Sequence, residues 1–226
     1  MKELIIVATD IEIKPFLLKN GFTDDMEQGK VYTISDRFDL MITGPGIPQT
    51  LLYLAAYFQE YLAKGVIQLG FAGSYNSDIE PGMMVETIED CFGDQGIDDR
   101  GTFIPFHALT ENVSMNSGVA AGWLRSLWIE KGEEKNCFAK LRKVKGITVS
   151  MGSGSQGRIE LMLTSWSPDV ETMEGAAALL YCNENDLPFR QIRSVSNWVE
   201  PRDFSRWKTE LAAQKLSEWL SLFIRE

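Results

Sequence analysis

Leu4-Ile-Ile-Val-Ala8 is an unbroken apolar run, of a length that suits a strand better than a helix. A strand with no polar alternation has to be buried on both faces, the condition met in a parallel sheet covered by helices. The run stops at Thr9-Asp10, which can cap a helix through Ile13, Phe16, Leu17 and Leu18, with Gly21 closing it. The same alternation then recurs. Short strands are expected at 31–34 and 40–42, followed by the turn Gly44-Pro-Gly-Ile-Pro48. A helix over 49–64 carries Leu52, Ala55, Ala56, Phe58, Tyr61 and Leu62 at helical spacing. A buried strand at 66–69 runs into the glycine-rich Gly70-Phe-Ala-Gly-Ser74.

Further strands are predicted at 83–88, 146–149 and 189–195, and a helix follows Ser153-Gly-Ser-Gln-Gly157 through Leu163. Residues 93–118 lack periodicity and read as a long active-site loop, with a short helix at 123–130. An amphipathic helix over 207–224 closes the chain, its stripe being Leu211, Leu216, Trp219, Leu220 and Phe223. The expected fold class is α/β: a single domain over residues 1–226, with a mixed, mostly parallel central sheet flanked by helices. At 226 residues such a domain buries roughly 70% of its unfolded surface.

Charge narrows the partners. With 22 basic and 32 acidic residues the net charge is -10, which argues against nucleic-acid backbones and anionic membranes. Cys91, Cys137 and Cys182 lie far apart without a CxxC pair, so neither a disulfide framework nor a zinc site is expected. Met1-Lys-Glu leads directly into a strand, and no apolar run approaches the roughly 20 residues of a membrane span. The expectation is a cytoplasmic protein without metal or cofactor, acting on a small molecule.

Two runs carry chemistry. Glu171-Thr-Met-Glu174 precedes the helix former Gly-Ala-Ala-Ala-Leu-Leu, and Arg193-Ser-Val-Ser-Asn197 ends an apolar strand. Open α/β sheets hold ligands at such strand ends and helix starts. Glu171 and Glu174, one helical turn apart, suit either paired carboxylates or an acidic first turn. Glu174, wedged between Met173 and glycine, is costly to bury unless hydrogen-bonded. Glu12 can act as a base towards water, although position alone favours the plainer reading of an acid at a helix start. Arg193 and Asn197 lie on alternate positions and should share a strand face. A buried Arg193 needs a carboxylate, with Glu12 a candidate, and Asn197 offers both donor and acceptor. The lone His107 has no nucleophile motif around it.

In order and spacing, Val7-Ala-Thr-Asp-Ile-Glu12, Gly70-Phe-Ala-Gly-Ser74 with Glu80-Pro-Gly-Met, Glu171-Thr-Met-Glu-Gly-Ala-Ala177 and Arg193-Ser-Val-Ser-Asn197-Trp-Val-Glu-Pro-Arg202 resemble the nucleoside phosphorylase and nucleosidase superfamily. Within it, the last two blocks resemble the futalosine hydrolase branch. The resemblance spans almost the whole chain and implies cleavage of a nucleoside N-glycosidic bond with water as nucleophile. It implies that Glu12 activates the water, with Arg193 beside it. Glu174 would hold the ribose hydroxyls with Met173 packed on the sugar, and Asn197 would bond the purine near N-7. Met151 and Gly152 would line the base pocket, and Ala72-Gly73 a loop beneath the sugar.

Adenine-specific relatives carry Asp where this chain has Asn197, and an amide suits hypoxanthine better. Asp10 and Glu12 stand where phosphorylases carry a basic phosphate loop, which favours hydrolysis. Relatives are commonly homo-oligomers, dimers or larger, and the same is expected here. Another purine nucleosidase or phosphorylase, or a silent nucleoside-binding protein, remain the alternatives.

Overall fold

The structure is a computed structural model and describes residues 1–22, 26–109, 122–126 and 136–226. In chain order the strands are β1 (Lys2–Val7), β2 (Val31–Thr33), β3 (Phe38–Ile42), β4 (Ala63–Ser74), β5 (Met84–Asp90), β6 (Gly96–Asp99), β7 (Thr102–Pro105), β8 (Leu124–Arg125), β9 (Arg142–Thr148), β10 (Val170–Thr172) and β11 (Phe189–Trp198). The α-helices are α1 (Lys14–Lys19), α2 (Ile47–Glu60), α3 (Phe106–Leu109), α4 (Asn136–Ala139), α5 (Gln156–Trp166), α6 (Gly175–Glu184) and α7 (Thr209–Phe223). This is the mixed α/β sheet flanked by helices that the sequence leads one to expect. Among the described residues, no helix is long and apolar enough to cross a membrane.

Alternation along β1 shows why the first run has no polar residue. Ile5 and Val7 pack with Phe16, Leu17, Leu216 and Phe223 on the α1/α7 side. Leu4 and Ile6 pack with Leu54, Tyr57 and the Ala176–Ala178 run of α6 on the other. Each of these strand residues is fully buried, and burial of such a side chain contributes about 1.5–3 kcal/mol. β1 pairs in parallel with β3 and β4, and β4 pairs in parallel with β11.

Beyond β11 the sheet curls. β11 pairs antiparallel with β5, β5 in parallel with β9, and β9 in parallel with β10. β10 returns antiparallel to β4, Val170 facing Ser74. These strands close into a ring filled by Ala72, Val85, Val144, Val170 and Val195. Nothing in the local pattern announces the closure, because β10 is three residues long and its partner is distant in sequence.

Several boundaries differ from the expectation. The second helix stops at Glu60, and the strand begins at Ala63, three residues before the expected start. Lys2 pairs with Ala63 there, a tertiary contact that overrides the helical spacing of Tyr61 and Leu62. Gly70 to Ser74 lies inside β4 and is not a loop. β11 continues past Val195 to Trp198 and encloses Asn197. In the expected loop at 93–118, residues 96–105 form the β6–β7 hairpin, and 110–118 lie outside the described residues. In the expected helix at 123–130, Leu124–Arg125 pair with β5 as a strand, and 127–130 are likewise outside. α7 begins at Thr209, not at Trp207. Its stripe is the core: Leu216, Trp219, Leu220 and Phe223 are buried, while Leu211 is partly exposed.

Candidate active site

The carboxyl ends of β1, β4, β10 and β11 and the start of α6 surround a cavity of about 330 Å3. Glu12, Ala72, Gly73, Gly152, Met173, Glu174 and Asn197 all line it. Met151 does not: it is 60% exposed and stands outside the lining. Arg193 lies beneath the cavity, 1% exposed.

Glu12 sits in a 3-10 turn, Asp10–Ile13, that follows β1. Its side chain folds back so that the Thr9 N–H donates to Oε2 at 3.0 Å, one half of a capping box. The Phe71 N–H of β4 donates to Oε1 at 2.9 Å. Burial, and next the charge of Glu174, push its carboxyl up from 4.5 to about 7, against the pull of the two N–H groups and Arg193. A carboxyl poised there can take a proton from water near neutral pH.

Glu174 is the residue immediately before α6. Its Oε1 accepts from the Gly46 N–H at 2.9 Å, and Gly46 is the residue that opens α2, with φ 91°. The turn Gly44-Pro-Gly-Ile-Pro48 therefore supplies an N–H to a carboxylate. Glu174 Oε2 lies 3.7 Å from Arg193 Nη1. Glu12 is a candidate partner of Arg193 in the sequence; the ion pair is instead with Glu174, and Glu12 feels the guanidinium as a nearby charge.

Glu171 is not on the helix. It lies in β10, where the Tyr75 hydroxyl donates to Oε2 and the Ser153 N–H donates to Oε1 at 2.8 Å. The acidic first turn is thus excluded, because Glu171 belongs to β10 and only Glu174 stands at the start of α6, although both line the cavity. Burial and the Glu171 charge push the Tyr75 hydroxyl pKa up, so it stays a donor.

β11 bulges at Ser196: Val195 pairs with Ala72 and Asn197 with Gly73, leaving Ser196 as the extra residue. Arg193 pairs with Gly70. Gly70 and Gly73 are an odd number of positions apart on β4, so the shared face expected of Arg193 and Asn197 is broken by the bulge. Asn197 Nδ2 donates to the Trp198 carbonyl at 2.9 Å, and the Ser196 hydroxyl donates to Oδ1 at 2.7 Å. The two glycines are spacers. A Cβ on Gly70 would stand 2.3 Å from Arg193 Nη1, and one on Gly73 would stand 2.8 Å from Val199.

A second polar layer lies under α6. Asp90 is fully buried, and the Thr148 hydroxyl donates to its Oδ1 at 3.0 Å while accepting the Ala176 N–H at 2.7 Å. Burial raises the Asp90 carboxyl from 3.8 to about 7, opposed by Gln191, Arg193 and Thr148. Gly175 permits this approach, since a Cβ there would be 2.2 Å from both Asp90 Oδ2 and Gln191 Nε2. Sequence reasoning passed over Asp90, Tyr75, Ser196, Arg202 and Trp207; Arg202 at least stood inside a motif already singled out.

Both raised carboxyls bear on stability. The folded chain holds their protons between the ordinary values of 4.5 and 3.8 and about 7, a range where the unfolded chain has released them. Their contribution is therefore complete at low pH and lost as pH rises to about 7. Urea unfolding at pH 5 and pH 8 should show a higher midpoint at pH 5, with a smaller gap in Asp90→Asn. An unchanged gap in that variant would contradict the assignment.

Among the described residues, no three His, Cys, Asp or Glu side chains converge as metal ligands would. The side chain of His107 is outside the description. Cys91, Cys137 and Cys182 are free thiols.

The family model of the phosphorylase superfamily matches residues 5–225. A search of curated protein sequences gives no match. Among solved structures, a 5′-methylthioadenosine/S-adenosylhomocysteine nucleosidase from Neisseria meningitidis aligns with a TM-score of 0.75 at 16% identity, covering 99% of this chain and 98% of its own. The corresponding nucleosidase from Helicobacter pylori gives 0.74 at 17%, covering 100% and 98%. Futalosine hydrolase from Helicobacter pylori gives 0.72 at 16%, covering 100% and 97%. At such identities the likeness is one of fold.

Proposed function

The chain belongs to the phosphorylase superfamily, and on that premise we propose that it hydrolyses the N-glycosidic bond of a purine nucleoside, futalosine in particular, releasing hypoxanthine. The observation that carries this reading is Glu12: a buried carboxyl at the cavity wall, held by two backbone N–H groups and raised to about 7. A base of that strength at a sugar site has water as its natural partner. Likeness of fold to futalosine hydrolase and to methylthioadenosine nucleosidases supports the substrate class.

In the proposed reaction the C1′–N9 bond breaks and its electron pair stays with the purine, while the sugar passes through an oxocarbenium-like state. Water adds to C1′ and gives its proton to Glu12, which passes it to solvent. The departing purine takes a proton from solvent at N-7 and leaves as neutral hypoxanthine. Glu174 holds the ribose hydroxyls, its charge balanced by Arg193 at 3.7 Å. Met173, 37% exposed at the cavity wall, offers an apolar surface to the sugar. With Oδ1 accepting from the Ser196 hydroxyl and Nδ2 donating to the Trp198 carbonyl, Asn197 keeps one acceptor lone pair for a proton on N-7 and one amide hydrogen to donate. That arrangement suits a 6-oxopurine, whose neighbouring oxygen accepts the second amide hydrogen. No cofactor is required, and a homo-oligomer in the cytoplasm is the form proposed.

Futalosine incubated with the protein in phosphate-free buffer should release hypoxanthine at an undiminished rate. A strict requirement for phosphate would replace the hydrolase reading by a phosphorylase. No release from futalosine, with turnover of inosine or methylthioadenosine, would change the substrate. Because Glu12 must be ionised to accept a proton, kcat should rise with pH and level off above about 7.

A further inference from the structure

Among the described residues, three carboxylates, Glu12, Glu171 and Glu174, line the cavity together with a single cation, Arg202. The acids are each engaged by N–H donors, as described above. Arg202 is not matched in this way. It is exposed, and among the described residues no carboxylate lies within 4.0 Å of it. Its Nη2 donates to the Gly152 carbonyl at 3.3 Å, a long bond. Its guanidinium carbon stands 5.6 Å from the Phe204 ring centroid. The segment that carries it is anchored, since the Arg202 N–H donates to the Gly154 carbonyl.

The place is built for a close approach. A Cβ on Gly152 would stand 3.1 Å from Arg202 Nη2, and one on Gly154 would stand 3.0 Å from Nε. Two glycines thus leave room for the guanidinium at the cavity, whose lining also includes Asn197. We infer that Arg202 determines specificity at the base end of the cavity, donating to the 6-oxo oxygen of the purine and rejecting a 6-amino group. This rests on the nucleosidase reading and extends it from Asn197 to a second residue.

The chemistry is one-sided. A guanidinium carries only donors. A carbonyl oxygen at position 6 accepts from it, whereas an amino group presents a donor to a donor and leaves both unpaired. When the glycosidic bond breaks, charge moves into the purine and onto that same oxygen. A cation beside it then stabilises the departing base more than the bound nucleoside.

The test uses the full chain, its Arg202→Met variant and Arg202→Lys, with two readouts. Calorimetric binding of free hypoxanthine and free adenine reports the base subsite whether or not the protein turns over. Arg202→Met should weaken hypoxanthine by about 10- to 100-fold, leave adenine unchanged or bound more tightly, and Arg202→Lys should recover part of the loss. Equal weakening of both bases, no effect on hypoxanthine, or no binding of either base by the unaltered protein would overturn the inference. The second readout is base release from futalosine and from its 6-amino counterpart. There Arg202→Met should lower kcat/KM for the 6-oxo substrate selectively. Selective hypoxanthine binding without any base release would keep Arg202 in its role and overturn the nucleosidase reading.

Discussion

Replacing Glu12 with Gln should lower release of the base by about 100- to 10,000-fold while nucleoside binding is retained. The amide has the same shape but cannot accept a proton from water. It also loses one of the two acceptors that the Thr9 and Phe71 N–H groups now use, so a modest loss of stability accompanies the loss of rate. Single-turnover base release and equilibrium binding of the nucleoside separate the two effects. Near-normal turnover in Glu12→Gln would remove Glu12 from the chemistry. A parallel loss of binding and rate would make it a structural acid at a helix start, the plainer reading that its position invites.

Arg193→Met carries the largest expected effect on stability. The guanidinium is 1% exposed and faces the carboxylate of Glu174, with Glu12 and Asp90 feeling its charge. Removing one partner of a buried ion pair costs about 3–5 kcal/mol, because the remaining charge is left without compensation. A urea titration of the variant against the parent measures this. A second consequence follows for pH. Arg193 holds the Glu12 carboxyl down, so its loss should move the alkaline-favoured limb of kcat above about 7. Where the variant is too unstable for kinetics, Arg193→Lys keeps the charge and should retain both the fold and the pH limb. Unaltered stability in Arg193→Met would show that the guanidinium is not the group that balances these carboxylates.

The folding class was legible for a simple reason. Leu4, Ile6 and Ile5, Val7 pack on opposite faces, so a local run without polar alternation already states that helices cover both sides. The cavity was legible in part. Glu174 and Asn197 are written as polar groups interrupting apolar segments, and both line it. The glycines misled. The resemblance put Ala72-Gly73 in a loop, whereas Gly70 and Gly73 both sit in β4, where the side chains of Arg193, Asn197 and Val199 need the space. A missing Cβ looks alike in sequence whether it serves a turn or a close approach.

Other features depend on residues far apart in the chain. The sequence offered Glu12 as a candidate partner of Arg193 and gave no sign of Glu174, because that ion pair depends on how the start of α6 meets β11 in space. The bulge at Ser196 turns Asn197 out of register with Arg193, and one extra residue in a strand leaves no signature in local composition. Asp90 was passed over because a single acid at a strand end is ordinary, until Gly175 and Thr148 close over it.

What the amino-acid sequence determined by itself was the alternation of buried strands and helices and the chemical type of the groups at their ends. Periodicity and polarity are local properties, and the hydrophobic effect acts on them directly. What only the tertiary structure decided was the closure of β10 onto β4, the pairing of Arg193 with Glu174, and the elevation of Glu12 to about 7. Each of these depends on a distance between segments brought together by folding, and both Coulomb energy and desolvation are functions of that distance and of burial.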